Sequence, residues 1–127
     1  MSLDYTIDVH KRLIRMSLSG EISKDELIQS FEKVAMDPLF DNDFNIISDI
    51  RKAVFSTTNN ERIALHQFFK ERLPETKGRS AFVVESQLDT AFAFLFSEDL
   101  KKKREVRVFS AMNNALGWLG YQEEACD

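Results

Sequence analysis

Apolar residues recur along this chain with two periods, and the changes from one to the other mark out its elements. Tyr5, Ile7 and Val9 alternate with Thr6, Asp8 and His10, the pattern of a strand with one face buried. A basic turn at Lys11-Arg12 follows, after which Ile14, Met16 and Leu18 alternate with Arg15, Ser17 and Ser19 as far as Gly20. Two such runs so close together predict an antiparallel hairpin. Ser23-Lys24-Asp25-Glu26 then has the form of a capping box, in which Ser and Glu satisfy each other's backbone N–H. The helix it opens carries Leu27, Phe31, Val34 and Ala35 on one face and stops at Asp37-Pro38, because a residue before Pro is pushed out of the helical region.

Phe44 to Ile50 is a short apolar run, read as a third strand. A Ser/Thr/Asn stretch from Phe55 to Asn60 separates it from a second helix, which runs to about Leu73 with Leu65, Phe68 and Phe69 inward and is ended by Pro74 and Gly78. Ala81-Phe82-Val83-Val84 is continuous and rich in strand formers, so it predicts a buried parallel strand. Leu88, Phe92, Leu95 and Phe96 fall at helical spacing and predict a third helix, with Phe94 on its other face. Val106, Val108 and Phe109 give a last strand. Ser110 caps a final helix that buries Met112, Ala115, Leu116 and Leu119. The order is ββαβαβαβα: one domain over 1–127, with four helices and a mixed, mostly parallel sheet of about five strands.

Composition narrows the class of function. The chain has 127 residues, 43% hydrophobic and 30% charged, which is the balance of one globular domain. A net charge of −4 gives no overall attraction to nucleic acid or to an anionic membrane. The sole cysteine, Cys126, leaves no intrachain disulfide and is a poor nucleophile in a chain end. No apolar run approaches the length of a membrane helix, and Met1-Ser2-Leu3-Asp4 does not open a signal peptide, so the expectation is a cytoplasmic protein with no integral membrane segment.

Four pieces stand along the chain in order: Leu18-Ser19-Gly20-Glu21-Ile22-Ser23, Asp49-Ile50-Arg51, Gly78-Arg79-Ser80-Ala81-Phe82-Val83-Val84, and Val108-Phe109 leading to Ala115-Leu116-Gly117-Trp118-Leu119. Together with the element order they resemble the SpoIIAA-like family of small bacterial proteins, related in fold to STAS domains and to the lipid-binding Sec14 type. The resemblance implies a STAS-like fold and a non-catalytic regulatory or protein-interaction module, as in anti-sigma antagonists, with a carrier of a small apolar or lipid-like ligand as the alternative. In anti-sigma antagonists a partner kinase phosphorylates a Ser at the start of the helix after the third strand. This chain has Ile50 and Arg51 after Asp49, and its nearest hydroxyls are Ser56, Thr57 and Thr58.

The candidate residues follow from these readings. Asp49 and Arg51, two apart on a strand, share a face and are expected at the carboxyl ends of the parallel strands, where open α/β sheets bind ligands. Ser56, Thr57 and Thr58 are candidate phosphoacceptors or helix caps. Phe94 and Trp118 lie off their helices' apolar stripes and are candidates for a homodimer contact or for closing over an apolar ligand. Lys101-Lys102-Lys103-Arg104 reads as a solvated loop or helix end. His10 and His66 have no companions at ligand spacing, and no catalytic motif is present, so neither metal, cofactor nor enzymatic activity is expected.

Overall fold

The structure, a computed structural model, describes residues 2–55, 58–72, 77–85 and 104–121, apart from the side chains of Asn59, Arg62, His66, Phe69 and Arg72. Its elements are β1 (Ser2–Asp8), β2 (Leu13–Ile22), α1 (Lys24–Ala35), β3 (Asn45–Phe55), α2 (Asn59–Arg72), β4 (Arg79–Val83), β5 (Glu105–Phe109) and α3 (Met112–Leu119). The strands lie side by side in chain order, β1 antiparallel to β2 and every later pair parallel. The mixed, mostly parallel five-stranded sheet is thus as the sequence predicts. The described residues hold three helices rather than four, in the order ββαβαββα; the helix expected over Leu88 to Phe96, Phe94 included, lies outside them.

Local chemistry explains the boundaries that the sequence predicts well. The Ser23 hydroxyl accepts from the Glu26 N–H at 3.2 Å, and the Glu26 carboxylate accepts from the Ser23 N–H at 3.1 Å, closing the capping box of α1. The helix ends at Ala35, before Asp37-Pro38. Asp37 then accepts a 2.8 Å hydrogen bond from the Tyr5 hydroxyl, tying the chain after α1 back to β1.

Three boundaries depart from the sequence reading, each for a physical reason. β2 does not stop at Gly20: the glycine takes φ +83°, a conformation open to it without steric penalty, and the strand bends and continues to Ile22. β3 runs on to Phe55, because one extra residue is absorbed as the register moves from Ser17↔Asp49 to Ser19↔Lys52. Ile50 and Ala53 are both buried on either side of that irregularity. Finally, α3 has Ala111 rather than Ser110 as its N-cap, with no side-chain hydrogen bond there. Val9, expected inward, is 50% exposed in the β1–β2 turn.

Among the described residues, the two faces of the sheet are covered unequally. Against one face, Leu27 of α1 and Leu65 and Phe68 of α2 pack on Leu18, Ile22, Ile50, Phe82 and Val106, and Val34 of α1 packs with Ile14, Met16 and Phe44. On the other face Ala115, Leu116 and Leu119 of α3 pack on Leu13, Ile47, Ala81 and Val83. α3 lies over β3, β4 and β5. Its eight residues, about 12 Å of helix, are too few to reach across the remaining strands.

Arg104 closes the amino-terminal ends of the strands. Its Nη2 donates to the Phe44 carbonyl at 2.9 Å and to the Arg79 carbonyl at 3.3 Å. Burial lowers its pKa to about 10, against the opposing charge of Asp43, so it remains a cation at neutral pH. Arg104 is therefore not part of a solvated basic run; Lys101 to Lys103 lie outside the described residues. Gly78 makes room for it, since a Cβ there would stand 2.5 Å from both the Phe44 oxygen and Arg104 Nη2.

Gly78→Ala is expected to destabilise the fold by about 1–3 kcal/mol, the usual cost of forcing a carbon into a closely packed site. Gly117→Ala is its control. Nothing lies within 4 Å of the added carbon on α3, and the change should be neutral or stabilise by up to about 1 kcal/mol. Urea denaturation followed by circular dichroism measures both.

Candidate functional site

Alternation along β1 and β2 decides what is presented by the half of the second face that no described helix covers. On β2, Ile14, Met16 and Leu18 turn into the core while Arg15, Ser17 and Ser19 turn to the other side. The antiparallel register then sets Thr6 beside Arg15 and Asp4 beside Ser17, and parallel pairing brings Asp49 of β3 beside Ser17. The result is a polar surface over β1, β2 and the middle of β3, bordered by the first turn of α3. A groove of about 360 Å³ runs through it, lined by Asp4, Thr6, Arg15, Ser17 and Asp49 together with Tyr5, Met16, Ile47 and Met112.

Asp49 and Arg51 form an ion pair in this surface. Arg51 Nη2 lies 2.8 Å from Asp49 Oδ2, Arg51 Nε donates to Oδ1 at 3.0 Å, and the Arg51 backbone N–H donates to the same oxygen at 3.1 Å. Same-face alternation is thus realised as the sequence predicts. The location is not: the pair sits in mid-strand rather than beyond the strand end, because β3 continues to Phe55. Burial is the largest influence on the Asp49 carboxyl and would raise its pKa. The hydrogen bonds from Arg51 and the charges of Arg51 and Lys52 together outweigh it, so the pKa is lowered. Asp49 is therefore an anion with its oxygens engaged. That suits charge recognition and works against proton abstraction near neutral pH.

The other predicted residues are scattered. Thr58 caps α2: its hydroxyl accepts from the Glu61 N–H at 3.2 Å and its own N–H donates to the Glu61 carboxylate at 3.0 Å. Ser56, Thr57 and Phe94 lie outside the described residues, as does Cys126. Trp118, at the opposite end of α3 from Met112, is half-buried on β5. Its ring centroid is 5.7 Å from that of Phe109, and the guanidinium carbons of Arg79 and Arg107 stand 5.3 Å and 5.6 Å from it. Arg79 also donates to the Trp118 carbonyl at 3.1 Å and pairs with Glu105 at 2.7 Å. Trp118 is held by its own molecule, and the structure does not bring it to Asp49.

Sequence reasoning singled out Asp49 and Arg51 but missed Asp4, Thr6, Arg15 and Ser17. Their signal was the polar half of two neighbouring alternating runs, which becomes a surface only once the hairpin register is known. Among the described residues no three His, Cys, Asp or Glu side chains gather as a metal site. No helix among them is long and apolar enough to cross a membrane.

No protein-family model matches the chain, and no curated protein matches it. Among solved structures, it is similar to an uncharacterized protein of the DUF3478 family with a SpoIIAA-like fold from Shewanella loihica PV-4. The TM-score is 0.57 at 11% identity, over 93% of this chain and 92% of the other. The class of the chain is thereby fixed as a SpoIIAA-like α/β fold.

The lowered pKa of Asp49 contributes stability that is fully present above the unfolded value of 3.8 and is lost as pH falls through the folded value. Arg51→Gln removes the guanidinium's hydrogen bonds and charge, and leaves only the backbone N–H of residue 51 and the charge of Lys52 to offset burial. The Asp49 pKa should then rise from its wild-type position, as read by carboxyl-carbon NMR, and the acid-side loss of stability should shrink. An Asp49 titration unchanged by the substitution would show that the pair does not hold the carboxylate.

Proposed function

We propose that this protein is a non-catalytic interaction module of the STAS type, acting in the cytoplasm, whose docking surface is the uncovered polar face of β1–β3 with Asp49 and Arg51 at its centre. The observation that carries this reading is the unequal coverage of the sheet. The half under α3 is apolar and filled, while the half beside it carries Asp4, Arg15, Asp49 and Arg51 around a groove and has no helix over it among the described residues. A carboxylate held ionised by a bidentate arginine offers both signs of charge at fixed positions, which favours specificity for a complementary polar surface. The same engagement makes it a weak general base, so the site supports recognition rather than catalysis. The likeness to an uncharacterized SpoIIAA-like protein agrees with a STAS-type module in fold, and the role itself rests on the groove.

The test is affinity capture from the native cell extract with the immobilised protein, alongside Asp49→Ala, Arg51→Ala and the Gly117→Ala control. A stoichiometric protein should be recovered by the wild type and by Gly117→Ala, and its recovery should fall about tenfold or more with either site substitution, the loss typical of a central polar contact. No stoichiometric partner, or one recovered equally by all four forms, would overturn the assignment. A small apolar molecule retained in native mass spectra, with no protein partner, would instead make the chain a carrier.

A further inference from the structure

β1 is an outer strand of the sheet, and among the described residues its outward backbone edge has no strand beside it. Proteins usually blunt such an edge with Pro, Lys, a bulge or a very short strand. β1 has none of these: it is seven residues long, Ser-Leu-Asp-Tyr-Thr-Ile-Asp, and pairs with β2 residue for residue without irregularity. What it does carry is two aspartates on one face, and their spacing restricts which strand can pair with it.

We infer that β1 pairs antiparallel with β1 of a second copy about a twofold axis at Tyr5, joining two five-stranded sheets into one. A twofold axis perpendicular to the sheet keeps like faces together, so only registers that move in steps of two residues are available. Centred on Tyr5, the register sets Leu3 opposite Ile7, Asp4 opposite Thr6 and Ser2 opposite Asp8, with Tyr5 opposite its own counterpart. No pair opposes two charges. Centred one step earlier, on Asp4, it would set Asp4 against Asp4; one step later, on Thr6, it would set Asp4 against Asp8. Like charges directly opposite destabilise a ladder, so the aspartates select the Tyr5 register and reject both neighbours.

The apolar side agrees. Leu3, Tyr5 and Ile7 are only half-buried against the core, whereas the alternate residues are exposed. In the paired register the remaining surface of Leu3 is covered by Ile7 of the other copy, and the reverse. The contact is one ladder and seven side-chain pairs, a small interface, so the dimer is weak and concentration-dependent. It stands apart from the docking assignment, but it sets the two grooves side by side, because Asp4 and Thr6 belong to both the groove and the ladder.

Sedimentation equilibrium of the full chain over a wide concentration range tests the pairing. The wild type should show a reversible monomer–dimer equilibrium. Thr6→Asp places a carboxylate opposite Asp4 twice per dimer and should raise Kd about tenfold. Thr6→Lys should lower Kd by providing two opposite-charge pairs. Asp4→Lys combined with Thr6→Asp should recover the affinity that Thr6→Asp alone loses. Position 6 is exposed and faces Arg15 within the monomer, so circular dichroism should show each variant folded. A wild type monomeric at every concentration, or a dimer whose Kd ignores these charges, would overturn the proposal.

Discussion

The placement of α3 depends on a few hydrogen bonds gathered at Asn45, the first residue of β3. Its backbone N–H donates to the Arg12 carbonyl at 3.0 Å, and its Oδ1 accepts from the Arg79 N–H at 2.9 Å. Its Nδ2 donates to the Tyr121 hydroxyl at 3.2 Å, and that hydroxyl donates to the Lys11 carbonyl at 2.7 Å. Asn45 and Tyr121 thus join the starts of β2, β3 and β4 to the segment just past α3. With its carboxyl end fixed there, the short helix can lie only over the strands it now covers. Among the described residues, the bare half of the second face follows from that anchoring and from helix length.

Within the bare half, the extra residue in β3 shapes the charged pair. Without it, Asp49 and Arg51 would still share a face, but the strand beyond would carry Ala53 outward and Val54 inward. The irregularity restores Ala53 to the core and leaves both Arg51 and Lys52 exposed, which concentrates positive charge beside Asp49. The Arg51 side chain is 39% exposed, so the attraction is screened by water and contributes little to folding. Its effect is on orientation: three donors fix the carboxylate, and the guanidinium plane is fixed in return.

Much of this fold was legible in the sequence because its signals are local. The alternation of Tyr5-Thr6-Ile7 and of Ile14 to Ser19, and the Ser23–Glu26 box, each need only a few neighbouring residues to act. The end of β3 was not legible, since Asp49-Ile50-Arg51-Lys52 breaks alternation and only the partner strand shows that a bulge repairs it. Arg104 was misread for a similar reason. In the sequence it ends a basic run, and its real environment, the Phe44 carbonyl and the space left by Gly78, comes from residues 26 to 60 positions away. The groove combines β1, β2, β3 and α3, so it exists only in the register.

The polarity of the open face says what kind of contact it can make. A sheet face awaiting a missing helix would carry apolar residues at alternate positions, as Ala81 and Val83 do beneath α3. β1 and β2 instead present Asp4, Thr6, Arg15, Ser17 and Ser19, polar groups of which Asp4, Thr6 and Ser17 are exposed to water. A partner must replace that water with hydrogen bonds of similar quality, because any group left unpaired in the contact costs about 1–3 kcal/mol. Bridging water serves where geometry is imperfect. Such a surface favours association that is wet, selective by charge and readily reversed, with Asp49 and Arg51 supplying fixed points of register. Those properties support the proposed interaction module over a permanent subunit.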